Sequence, residues 1–414
     1  MPDYTFSLIT PSHRYTRNLD ELYESLLAQS YDKWEWILFL NGNFQKGQVP
    51  RHIAADPRVR ISFDYSGNSN IGYLKNLAFS QGTGEILVEI DHDDLITPDA
   101  LLEMNIAFQD QKIGFVYSDD AILQMDGEFI PYNKEYGWTS KVYEWEEKSL
   151  ISMDTFSPSS QALSYVWFAP DHIRAWRKDI YFKLGGHNPN LSVCDDHELL
   201  VRTYLVTDIF KIEKVLYIYR KTGVNTTITR NAEIQAKTHE IFNTYAQSLA
   251  ERDADIKGLL KLDLSGKFST RSGYTVIGHG GKDLDCDLNA GIPYPDNSAG
   301  VINASHVLQR IKDPIFAMKE IYRVLAHGGW VFIEVPSTDG RGAFQDPTHV
   351  SYWNENSFFY YTQSHYAKFI ENDSIRFSQL RLETVQWDNN VSVVFAALWA
   401  VKDVAPRLPG KILI

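Results

Sequence analysis

The chain has 414 residues, 44% of them hydrophobic and 13% aromatic, which is enough for two domains with substantial cores. The formal charge is −13, and positions 1–240 hold 23 basic against 34 acidic residues, a field that opposes general nucleic-acid binding. With 2 cysteines, no signal-peptide pattern and no stretch apolar enough to span a bilayer, no disulfide framework is expected, a reducing compartment is compatible and a cytoplasmic location is expected.

Residues 5–10 read as a buried strand. Pro11-Ser12-His13-Arg14 then turns into a helix with Leu19, Leu22, Leu26 and Leu27 on one face. A second strand, residues 34–40, is stopped by Asn41-Gly42-Asn43; a third covers residues 59–63, and a helix follows around 73–80. The apolar run 86–90 is a fourth strand, and it ends in Asp91-His92-Asp93-Asp94. Alternating strands and helices indicate an α/β domain with a mostly parallel sheet. Ligands of such sheets bind beyond the carboxyl ends of the strands, where Pro11, Asn41 and Asp91 all fall.

Three acids at the end of a buried strand repel one another and lose hydration unless a cation or ligand compensates. Hard divalent cations take oxygen ligands and often bridge to substrate phosphates, so the cluster points to a metal and a diphosphate. The competing reading is a helix cap, from Asp94 or Thr97 with Pro98 at the first helical position.

Residues 115–232 are less regular. Phe115-Val116-Tyr117 leads as a strand into Ser118-Asp119-Asp120, a turn is expected at Asp126-Gly127, and residues 136–145 read as a loop, either an acceptor-side flap or a packed surface segment. Arg174, Arg177, Lys178, Lys183, Lys211, Lys214, Arg220 and Lys221 form a candidate basic patch. Residues 231–260 carry a long helical pattern that serves as a connector. A second α/β unit begins near Leu262. In it Asp313-Pro314 starts a helix with an apolar stripe of Ile315, Met318, Ile321, Tyr322 and Leu325, Gly328-Gly329 ends it, and residues 330–335 form a strand. The aromatics Tyr352, Trp353, Phe358, Phe359, Tyr360 and Tyr361 fit core packing, or else an acceptor platform or subunit interface.

Taken in order, the N-terminal motifs resemble family 2 glycosyltransferases of the GT-A fold over roughly residues 5–232. Residues 6–14 resemble the opening strand and its proline-containing nucleotide loop. Leu26-Leu27-Ala28-Gln29-Ser30-Tyr31 before Trp34-Glu35-Trp36 resembles the first helix and its exit, and Asn70-Ile71-Gly72 with Lys75-Asn76 the segment before the metal strand. Asp91-His92-Asp93 stands where the family has its acid-x-acid motif. Gly185-Gly186-His187 followed by Asp195-Asp196-His197-Glu198 resembles the acceptor-side motif ending in a catalytic acid.

The resemblance implies inverting transfer of a sugar from a nucleoside diphosphate donor to an acceptor hydroxyl, with Mn2+ or Mg2+ as cofactor. It implies Asp93 as metal ligand supported by Asp91, and donor binding by Thr10, Pro11, His13, Asn41, Lys75 and Asp91. It makes Asp196 the general base, with a pKa expected to rise beside Asp195 and Glu198. His197 falls on another face, and His92 and His187 read as structural or ribose-facing. Where the family often has paired acids after the second strand, this chain has Asn41, whose amide can still pair with a pyrimidine edge; a UDP-sugar is the expected donor.

Residues 262–362 resemble a class I methyltransferase domain, through residues 292–298, His306-Val307-Leu308 and residues 320–329. The glycine-rich cofactor loop is missing: that place reads Leu262-Asp263-Leu264-Ser265-Gly266-Lys267-Phe268-Ser269, and Gly278-His279-Gly280-Gly281 leads into no apolar helix. The expected architecture is therefore a GT-A domain (1–232), a helical connector (233–261) and a Rossmann-like methyltransferase-type α/β domain (262–414) that has lost its cofactor. A bifunctional glycosyltransferase/methyltransferase and a noncatalytic glycan- or nucleic-acid-binding protein are the alternatives. The acceptor stays open between a glycan, a lipid carrier, a protein and a modified nucleobase such as a hydroxylated DNA base, and a homo-oligomer is possible.

Overall fold

The structure is a computed structural model that describes residues 2–42, 48–125, 131, 137–165, 171–221, 229–372 and 374–402. Asn43, the expected turn Asp126-Gly127, and residue 136 lie outside the described residues. The chain divides into two compact units, one running to Tyr245 and one starting at Ala246. The helix Asn231–Ile256 crosses that division.

In the first unit the strands are β1 (Phe6–Ser12), β2 (Trp34–Asn41), β3 (Val59–Asp64), β4 (Ile86–Glu89), β5 (Leu95–Ile96), β6 (Ile113–Gln124), β7 (Thr139–Trp145), β8 (Lys148–Asp154), β9 (Arg174–Arg177) and β10 (Asp208–Lys221). Among the described residues they form a sheet of order β3-β2-β1-β4-β9-β6-β10-β5, with β8 on β6 and β7 on β8. β1, β2, β3 and β4 are parallel, and β9 runs antiparallel between β4 and β6. The near-continuous apolar sequences of β1, β2 and β4 follow from burial on both faces. Leu19, Leu22 and Leu26 of helix Arg17–Leu27 join the core with Phe6, Leu8, Trp36 and Val88, whereas Leu27 is exposed.

Two expectations change here. Residues 139–145 are not a loop but β7, an antiparallel partner of β8; its side chains are mostly exposed, so no alternating apolar signal marks it. The helix Ala100–Ala107 has Asp99 at its N-cap with no side-chain cap bond, so neither Asp94 nor Thr97 caps it.

The second unit has β11 (Leu260–Asp263), β12 (Thr275–Gly278), β13 (Leu284–Asp285), β14 (Ala299–Ser305), β15 (Leu325–Pro336), β16 (Phe377–Gln386) and β17 (Ser392–Ala400), in the order β13-β12-β11-β14-β15-β17-β16. The five strands β11–β15 are parallel, and β17 and β16 are antiparallel. Asp313 caps helix Pro314–Val324 as expected, accepting from the N–H groups of Ile315 and Phe316. That helix ends before the expected glycine pair: Leu325 already takes an extended conformation, and Gly328-Gly329 lies inside β15 where its register against β14 shifts. Of the aromatic tail, Trp353, Phe358 and Tyr361 enter the core, and Tyr352 is exposed.

Candidate active site

The chain lays β1, β2 and β3 outward on one side of β1 and then crosses to place β4 on the other. Strand order reverses there, which leaves a crevice at the carboxyl ends of β1 and β4. A cleft of about 880 Å³ opens at that point, lined by Pro11, His13, Asn41, Lys75, Asp91, Asp93, Arg174 and Asp196 among others. All but one of the residues expected to bind donor or metal, and the expected base, therefore meet in one cavity. The exception is Thr10. It is buried on β1, and its hydroxyl accepts the Trp36 indole N–H at 3.0 Å, so it faces the core.

The acid loop is held from behind by β10. Asp94 is buried and accepts the Arg220 backbone N–H at 2.7 Å; burial, then Asp93 and Asp91, raise its pKa well above the usual carboxylate range. Arg220 donates to the Asp93 carbonyl at 2.9 Å and pairs with Glu21. The Asp91 N–H donates to the Tyr217 hydroxyl at 3.1 Å, and His172 stacks on that ring with Nε2 3.6 Å from Asp91. Burial holds His172 neutral, its pKa lowered to about 4. This bracing leaves the carboxylates of Asp91 and Asp93 partly open, 38% and 30% exposed. Among the described residues no group of three or more His, Cys, Asp or Glu could hold a metal by itself. The donor set fits a hard cation that takes one or two carboxylates and completes its shell with water and phosphate oxygens.

The acceptor-side motif is tied to the donor side by close backbone contact. A Cβ on Gly72 would sit 2.0 Å from the Asn188 carbonyl oxygen, so only glycine lets helix Ile71–Phe79 approach so closely. Asn76 donates to the carbonyls of Gly185 and His187. On the same helix Lys75 does not extend into open cleft: its ammonium lies 2.5 Å from Glu89 and 3.6 Å from Asp195. Burial alone would pull its pKa down, but Asp195 and Glu89 outweigh it and hold the lysine charged.

Asp195 and Asp196 open helix Asp195–Val206. Their order of basicity is the reverse of the expectation. Arg174 donates to Asp196 at 2.8 Å; against the burial term, Arg174 and Lys75 hold the Asp196 carboxyl well below the usual range. Asp195 is pushed up to about 7 by burial, against the pull of Lys75. A like-charge neighbour raises a carboxylate, but a guanidinium in contact lowers it more. His197 turns away to the Leu163 carbonyl at 2.8 Å, and His187 is buried against the Tyr181 hydroxyl.

Arg174, His172, Asp120 and Asp171 also line the cleft. Burial raises Asp171 to about 6 and Asp120 well above its usual value. The doublet Asp119-Asp120, which lies inside β6 rather than after it, is the available signal for the latter. Five of the eight residues of the candidate basic patch are engaged elsewhere: Arg174, Lys211 and Arg220 pair with Asp196, Asp119 and Glu21, Lys214 pairs with Glu103, and Arg177 donates to backbone carbonyls.

Residues 7–165 match the sequence model described as glycosyl transferase family 2. The resemblance to that family read from the sequence is thus shown over residues 7–165. Residues 245–333 match a methyltransferase-domain model. The chain is 29% identical over 218 residues to the uncharacterized protein y4gI of Sinorhizobium fredii, covering 49% of this chain and 21% of that one. It is 24% identical over 236 residues to the chondroitin synthase of Pasteurella multocida, covering 56% and 22%. A 143-residue stretch is 25% identical to the Escherichia coli UDP-Glc:alpha-D-GlcNAc-diphosphoundecaprenol beta-1,3-glucosyltransferase WfgD, covering 32% and 56%. The matched region thus spans about a fifth of the first two relatives and about half of the third. Among solved structures, S. aureus TarS 1–349 with UDP-GlcNAc aligns at 18% identity and a TM-score of 0.44, over 61% of this chain and 73% of that one. Among the described residues no helix is long and apolar enough to cross a membrane.

In the second unit no α-helix stands between β11 and β12. β11 is followed by a single 3₁₀ turn, Gly266–Phe268, and Gly266 takes φ +57°. A Cβ there would lie 2.3 Å from the His279 carbonyl oxygen.

Proposed function

We propose that the protein moves a sugar from a nucleoside diphosphate donor, a UDP-sugar, to an acceptor hydroxyl with inversion. The observation that carries this is the joint presence of Asp91, Asp93 and Asp196 in one cleft with Pro11, His13 and Asn41. Inversion needs the departing diphosphate and the incoming hydroxyl on opposite faces of the anomeric carbon. A strand-end carboxylate group and a helix-start carboxylate reaching one cavity from separate segments supply groups for both.

In this reading Asn41 pairs through its amide with the pyrimidine edge, and Pro11 and His13 border the nucleotide. Asp93, with Asp91, would hold Mn2+ or Mg2+, whose charge would stabilise the leaving diphosphate. Asp196, ionised at neutral pH, accepts the proton of the acceptor hydroxyl. Lys75 serves the site indirectly, by pairing with the buried Glu89. The acceptor is read as a glycan hydroxyl: relatives bear names such as chondroitin synthase and O-antigen biosynthesis glycosyltransferase, and the pairing of Arg174, Lys211 and Arg220 with carboxylates weakens the case for a DNA base. The second unit is read as a methyltransferase-type fold without S-adenosylmethionine binding, because β11 leads into a single 3₁₀ turn rather than a glycine-rich loop and α-helix.

The test is UDP release from UDP-glucose and UDP-GlcNAc in the presence of Mn2+. Asp93→Ala and Asp196→Asn should each abolish it, and activity undiminished in both would reject the assignment.

A further inference from the structure

Glu89 is 0% exposed, yet it is a carboxylate on β4, two residues before Asp91. Arg174 stands directly opposite it in the β4–β9 pairing, so the two side chains share one face of the sheet. Oε1 of Glu89 takes the Lys75 ammonium. Oε2 is buried with no hydrogen-bond partner among the described residues, and the Arg174 Nη1 stands 3.7 Å away, an ion-pair distance longer than a hydrogen bond. That same nitrogen, Nη1, donates to Asp196 Oδ2 at 2.8 Å. One guanidinium nitrogen therefore stands between two carboxylates. It is bonded to the partly exposed one, and it leaves unsatisfied an acceptor that is costly to bury alone.

We propose that Arg174 is a positioning residue with two seats. In the arrangement of this structure it holds Asp196, and when an acceptor hydroxyl hydrogen-bonds Asp196 its guanidinium shifts onto Glu89. This rests on reading Asp196 as the proton acceptor. In the first seat Arg174 fixes the carboxylate rotamer while masking the oxygen that must take the proton. In the second it satisfies Glu89 Oε2 and leaves Asp196 unmasked. Both seats lie within 4 Å of Nη1, so the shift is short. Lys75 keeps its contact with Glu89 Oε1 in either state, so Glu89 is the fixed anchor of the pair.

The experiment measures UDP release from UDP-GlcNAc with water as acceptor, UDP affinity by calorimetry, and thermal melting, all on the full chain. Glu89→Gln removes the charge of the second seat. It should lower kcat by about tenfold or more and leave UDP affinity within about twofold. In an Arg174→Met background the same change should cost less than about twofold, since the seat has no occupant. Should Glu89→Gln fail to fold by melting, the Lys75→Met/Glu89→Gln pair, which balances the lost charges, carries the same comparison. An unchanged kcat in Glu89→Gln, or an equal loss with and without Arg174, would overturn the proposal and assign Glu89 a purely structural role. If Asp196→Asn keeps full UDP release, the functional reading itself falls, and the two-seat role falls with it. An active chain with inactive Asp196→Asn and unaffected Glu89→Gln refutes the two-seat role alone.

Discussion

Two strand-end crevices invite comparison, one after β4 in the first unit and one after β11 in the second. Both stand at the carboxyl edge of parallel strands, where ligands of α/β sheets bind. After β4 the backbone stays back, and the space is lined by carboxylates braced from β10 and by the start of helix Asp195–Val206. After β11 the chain makes a single 3₁₀ turn whose Gly266 lies against the His279 carbonyl, and no α-helix follows before β12. The fold supplies a place for a ligand in both units. Whether that place is a site depends on what the chain puts into it.

The comparison breaks most visibly at the acids. Asp93→Ala and Asp196→Asn should each lower UDP release by about 10²-fold or more, with the overall fold retained by circular dichroism, because they remove groups that act on developing charge or on the proton. The next effect is on stability. Lys75→Met strips the buried Glu89 of its direct partner and should destabilise the first unit by about 3–5 kcal/mol in urea unfolding. In the second unit Gly266→Ala forces a side chain onto a left-handed backbone pressed against His279, and should cost about 1–3 kcal/mol. Calorimetry with S-adenosylmethionine should show no heat of binding there; a tight isotherm would make the two crevices alike and return the bifunctional reading.

The smallest effect is in pH. Asp195 has a folded pKa raised to about 7, so the folded state holds its proton where the unfolded state has released it. That contribution favours the fold at low pH and is lost as pH rises from the ordinary aspartate range through about 7. Relative to Asp195→Asn, the unmodified chain should therefore lose melting temperature between pH 5 and pH 8. A parallel pair of curves would show that Lys75 has neutralised Asp195 fully.

Much of this was legible along the chain. Strand–helix alternation located β1, β2, β3 and β4, and the strand-end rule brought Pro11, Asn41 and Asp91 to one edge. β7 was missed because it is an exposed strand without an apolar period, and Gly328-Gly329 misled because glycines punctuate strands as well as helix ends. Thr10 was assigned to the donor because a strand-end hydroxyl gives no sign of its facing direction; Trp36, its partner, lies on the next strand. Asp196 was expected to be a strong base because its sequence neighbours are acids, whereas its contact in space is Arg174, which had been counted as surface charge.

The order of residues by itself determined the two α/β units, the cleft edge and the carboxylates that reach it, since these follow from local periodicity and from where strands stop. Only the tertiary structure decided which charges cancel. Glu89, Lys75, Arg174 and Asp196 come from two strands and two helices, and the sign and size of each interaction depend on distances of a few ångströms under shared burial, which one-dimensional spacing does not contain.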